Sequence, residues 1–88
     1  VVKGSFLHLE KSSPLLNNHH QNWRSRAINS LANEKEFDLH FSSCFTLSEK
    51  DLKKIRTMIS TYLEEISDVV KPSKEEKLCA LNIDYFEI

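Results

Sequence analysis

Between Ser48 and Pro72 apolar side chains return every third or fourth position, at Leu52, Ile55, Ile59, Tyr62, Leu63, Ile66 and Val70, with Met58 and Val69 flanking. That spacing puts them on one face of a helix. Both ends of the run carry stop signals. Ser48 can accept a backbone N–H near Asp51, with the Asp51 carboxylate turned back in a capping-box-like arrangement, and Pro72 cannot continue a helix. The spacing predicts a helix from about residue 49 to 70 as the main core element. Glu49 and Lys53 stand one helical turn apart, as an ion pair requires. The basic residues Lys50, Lys53, Lys54 and Arg56 occupy the first turns, where the helix dipole disfavours cations. They read as a solvated face rather than an anion site.

The residues before the helix follow a different period. Phe37, Leu39, Phe41, Ser43, Phe45 and Leu47 alternate with Asp38, His40, Ser42, Cys44 and Thr46, the pattern of a strand with one apolar face. After the polar KPSKEEK, residues 78–88 (LCALNIDYFEI) alternate again. A ~22-residue helix at ~1.5 Å per residue is as long as a ten-residue strand at ~3.3 Å, so the two strands can lie parallel through a right-handed crossover. Upstream, Leu16, His20, Trp23, Ala27 and Leu31, with Ile28 beside them and Pro14 near the start, predict a second amphipathic helix over 15–33 with Trp23 in the core. VVKGSFLHLE has enough β-formers for a first strand. The expected fold is therefore α+β, a two-layer β-α-β-α-β unit with a three-stranded sheet and both helices on one face. One domain spans residues 1–88.

Composition excludes several classes of function. With 40% hydrophobic and 28% charged residues the chain is ordinary for a globular protein. No apolar run approaches the ~20 residues of a membrane helix. A net charge of −1 lacks the positive field that nucleic-acid phosphates select. Two cysteines make neither a disulfide framework nor a zinc site, which fits a reducing cytoplasm. The single glycine cannot build a phosphate-cradling loop or a nucleophile elbow. The opening VVKGSF, without an initiator methionine, reads as a piece of a longer chain.

Two sheathing helices on one side would leave the polar strand face open. His40, Ser42 and Cys44 would then lie beside Asn82 and Asp84, a surface that could serve as an interface, a ligand site or an acid/base pair. Cys44 and His40 sit two steps apart on one face, roughly 13 Å along a strand, too far for a dyad. His19 and His20 are adjacent, which points them ~100° apart rather than together as helical metal ligands at i,i+4. His20 is expected at the core edge and His19 in solvent. Trp23, with Arg24 and Arg26, is a possible docking edge. No metal, cofactor or catalytic set is expected.

The run DLHFSSCFTLSEKDLKKIRTMISTYLEEI, the later LCALNIDYFEI and the upstream NNHHQNWRSRAINSL carry a resemblance over residues 17–88. Its short words are Leu47-Ser48, Leu81-Asn82-Ile83 and Phe86. The pattern resembles the C-terminal domain, of unknown biochemical function, in a paralogous family of transcriptional regulators from predatory and related bacteria. The Phe-Pro common there is replaced by Phe86-Glu87. The resemblance implies a non-enzymatic regulatory module that oligomerises, senses a ligand, or docks on an upstream DNA-binding domain of the same chain. The alternative reading is a small enzyme or ligand-binding domain using the polar sheet face; direct DNA contact through Lys50 to Arg56 is a third.

Overall fold

The structure, a computed structural model, describes residues 14–88. These contain two helices, α1 (Pro14–Ala32) and α2 (Glu49–Val70). The chain divides into two compact units; the described residues of one are Phe45–Cys79 with Tyr85–Ile88, and those of the other are 14–44 with Ala80–Asp84.

In the first unit α2 begins as the sequence predicts. Ser48 is extended, and its hydroxyl accepts the Asp51 N–H at 3.1 Å. Only this half of the capping box forms, because the aspartate side chain is one methylene shorter than the usual glutamate. Glu49 and Asp51 sit in the first turn, where the dipole favours them. Glu49 pairs with Lys53 at 3.8 Å between two exposed side chains. Leu52, Ile55, Ile59 and Leu63 form a half-buried stripe, and the Tyr85 hydroxyl donates to the Leu52 carbonyl at 3.0 Å. On the outer side the Thr57 and Thr61 hydroxyls donate to the carbonyls of Lys53 and Thr57. The helix closes where Lys71 N–H reaches the Ser67 carbonyl at 3.0 Å, and Pro72 follows.

In the second unit α1 opens on Pro14, whose fixed φ and missing N–H suit a first helical position. Its half-buried residues are Leu16, His19, Trp23, Arg24, Ala27 and Ser30. The predicted face is thus rotated: His19 is half-buried and His20 exposed, the reverse of expectation, and Leu31 is exposed. Beyond α1, Asn33 N–H bonds the Ser30 carbonyl and Asp38 N–H the Lys35 carbonyl, which turns the chain.

The expected α+β fold is not found. Among the described residues there is no strand, neither over 37–47 nor over 78–88, so the three-stranded sheet and its parallel crossover are replaced by an all-helical arrangement with connecting segments. The first strand, in VVKGSFLHLE, lies outside the described residues. Alternation alone does not make a strand: it needs a partner to satisfy its backbone groups and a layer to cover its apolar face. Here Phe37, Leu39 and Phe41 are 92%, 88% and 85% exposed. Nor is a residue fully buried among those described. Trp23, expected as the plug of a core, is half-buried and takes its ring contacts from its own helix, with His19 edge-on at 6.4 Å and the Arg26 guanidinium 5.5 Å from its centroid.

Candidate functional site

The polar chemistry of the second unit collects in two clusters along α1. In the first, Arg24 faces residues 82–84. Its Nε donates to Asp84 Oδ2 at 2.7 Å and its Nη2 to Asp84 Oδ1 at 2.6 Å, the two-pronged geometry in which guanidinium and carboxylate fit best. Nη2 also donates to the Ile83 carbonyl at 2.9 Å, and Nη1 to Asn82 Oδ1 at 3.4 Å. The remaining reach of Nη1 goes back one turn, to the His20 carbonyl at 3.5 Å and to His20 Nδ1 at 3.4 Å. Asn82 returns a bond from Nδ2 to the Trp23 carbonyl at 3.3 Å. The Arg24 hydrogen bonds hold the Asp84 carboxyl below the usual carboxylate range; partial burial opposes them, and the Arg24 charge adds a smaller lowering.

The second cluster lies at the last turn of α1. The Ser30 hydroxyl donates to Asp38 Oδ2 at 2.9 Å, and the same oxygen accepts the Lys35 N–H at 2.9 Å. His40 Nε2 stands 3.0 Å from Ser30 Oγ. The backbone N–H of Lys35 and then the Ser30 hydroxyl hold the Asp38 carboxyl below its ordinary value. A serine, a histidine and an aspartate within hydrogen-bond reach invite comparison with a hydrolase triad, but the order of bonds differs. In a triad the histidine stands between serine and carboxylate and removes the serine's proton. Here the serine stands in the middle and its hydroxyl donates its one proton's hydrogen bond to Asp38, so the contact with His40 is completed by the tautomer in which Nε2–H donates to Ser30 Oγ. His40 in that state has no lone pair for the serine, and the cluster works as a brace.

The six residues singled out by sequence are separated by this arrangement. Asn82, Asp84 and the Trp23 backbone come together around Arg24, and His40 joins Ser30 and Asp38. Ser42 and Cys44 are exposed, with no hydrogen bond among the described residues, and both cysteines are free thiols. The open polar sheet face is corrected on two counts. It has no sheet among the described residues, and the sides are reversed: Asp38 and His40 are half-buried against Ser30 while the apolar Phe37, Leu39 and Phe41 are turned out. Arg24 enters the sequence reading only beside Trp23 as part of a docking edge, without its partners, and Ser30 and Asp38 are the site residues that pattern reading missed. A basic residue inside the apolar stripe of α1 was the available signal for Arg24; nothing in the sequence marks Ser30.

Among the described residues no group of three His, Cys, Asp or Glu side chains could hold a metal ion, and no helix is long and apolar enough to cross a membrane. No curated protein and no solved structure matches the chain. A family model described as a domain of unknown function, DUF4423, matches residues 1–88, and under that match the protein belongs to the DUF4423 family.

Proposed function

We propose that this domain is a non-enzymatic interaction module of a transcriptional regulator. The observation that carries the reading is the asymmetry of residues 37–41. Asp38 and His40 are tied to Ser30 on one side, and Phe37, Leu39 and Phe41 project into solvent on the other. Exposing three large apolar side chains in a row is unfavourable, and such patches on soluble proteins mark interaction sites. The brace on the polar side holds them ready for a partner with little ordering left to do, which lowers the entropic cost of docking. Regulation of transcription enters through the resemblance of residues 17–88 to regulator C-terminal domains, and the balanced charge fits contact with protein in preference to DNA. The competing enzymatic reading draws on the 3.0 Å approach of Ser30 to His40, which the proton arrangement above disfavours.

The test replaces Phe37, Leu39 and Phe41 together by serine in the full-length gene of the source organism, with expression level matched to wild type. A transcript profile like that of the deletion strain is expected. A wild-type profile from the triple variant would overturn the reading.

A further inference from the structure

We infer that the partner of the Phe37, Leu39 and Phe41 surface is a second copy of the same chain, bound about a two-fold axis that passes near Leu39. This rests on the interaction reading above and adds the occupant and its orientation. Area is the first argument. Two phenylalanines and a leucine, each 85–92% exposed, offer roughly 500 Å² per copy when covered, taking roughly 150–250 Å² for a buried aromatic side chain. Two copies together then bury about 1,000 Å², the lower edge of specific interfaces. A two-fold contact reaches that area with this patch alone, because each copy supplies the same apolar surface; a polar partner would leave part of it unmatched.

Charge is the second argument, and it fixes direction. Glu34 and Glu36, with Lys35 between them, precede the patch and leave that end net negative, whereas no Asp, Glu, Lys or Arg occurs from residue 39 to residue 48. Copies meeting in the same direction would set each acidic residue opposite its own equivalent, which repels. Meeting in opposite directions about Leu39, Phe37 of one copy lies against Phe41 of the other, and each acidic end meets an uncharged one. The polar side stays out of the contact, since Asp38 and His40 remain on Ser30 within each copy. An interface this small gives a weak dimer, with a dissociation constant on the order of 10–100 µM.

The experiment uses sedimentation velocity of the 88-residue chain across concentration, together with disulfide capture under copper-phenanthroline. The capture is done in a Cys44→Ser, Cys79→Ser background, since both native thiols are exposed. Concentration-dependent mass is expected, as is covalent dimer from Leu39→Cys with itself and from Phe37→Cys mixed with Phe41→Cys. Thr46→Cys should give at least tenfold less. Each cysteine replaces an exposed side chain, and far-UV circular dichroism checks that each variant folds. A strict monomer to millimolar concentration overturns the inference, and so does a dimer that Leu39→Cys does not capture. If the chain is monomeric while the triple serine variant still loses its transcript profile, the module docks on a different protein or on its own residues 1–13, and only the second-copy inference fails.

Discussion

Removing the Arg24 fork gives the sharpest test of how residues 82–84 are held on α1. In Arg24→Ala, Asp84 loses both hydrogen bonds to its one close charged partner and the Ile83 carbonyl a donor. The Arg24 side chain is 27% exposed and that of Asp84 56%, so solvent screens the pair and it belongs with surface ion pairs, typically worth about 0.2–1 kcal/mol. Two-pronged geometry at 2.6 and 2.7 Å puts it at the top of that range, about 1 kcal/mol of coupling between the two residues. The assay is native-state hydrogen exchange at the amides of residues 82–84 in wild type, Arg24→Ala, Asp84→Asn and the double variant. Opening should speed about fivefold for the coupled part, and Arg24→Lys, which has a point charge and no fork, should recover little of it. Acid should act the same way. Asp84 has a folded pKa below its ordinary value of 3.8, so its contribution is complete above that value and is lost as pH falls through the lowered folded one. Coupling below about 0.3 kcal/mol, or exchange at 82–84 indifferent to all four sequences, would refute the assignment.

Three further outcomes are expected. Ser48→Ala removes the N-cap acceptor of α2 and should cost about 1 kcal/mol in denaturant unfolding; no change would mean that the Asp51 N–H finds water as good a partner. Ser30→Ala should let the Asp38 carboxyl rise part of the way towards its ordinary value in an NMR titration, with the Lys35 N–H still holding it down; in wild type, stability linked to Asp38 is present above that value and lost as acid titrates it through the lowered one. A fluorophosphonate probe should leave Ser30 unlabelled, because its hydroxyl donates to Asp38 and no base stands ready to take its proton; stoichiometric labelling at Ser30 would restore the enzymatic reading.

What the sequence made legible was what local chemistry controls. Ser48, the 3–4 spacing through Leu63 and the proline at 72 place α2 from residues within one turn of each boundary, and Pro14 does the same for the start of α1. The face of α1 was less legible. Hydropathy assigns Arg24 and Ser30 to solvent, yet both are half-buried, because Asp84 lies 60 residues away and Asp38 eight, and no window along α1 contains either partner. His19 and His20 exchange places for the same reason, since the side of α1 that is covered follows Arg24 and Ser30. The alternation over 37–47 is real in the side chains: the apolar and polar sets do separate at 37–41. It misled because period two records two unlike sides without saying which one is covered. Ser30 captures the polar side here, and the predicted ladder is absent among the described residues.

The separation of Arg24 and Asp84 along the chain also bears on when their bond can form. Closing a flexible loop of about 60 residues costs on the order of 3.6 kcal/mol from the logarithmic length dependence alone, several times what the pair returns. The bond cannot gather the two ends by itself. It must arise late, after other contacts have brought residues 82–84 to α1, and any loosening of the chain between them should break it early. Arg24 is thus less a cause of the folded arrangement than its most sensitive witness.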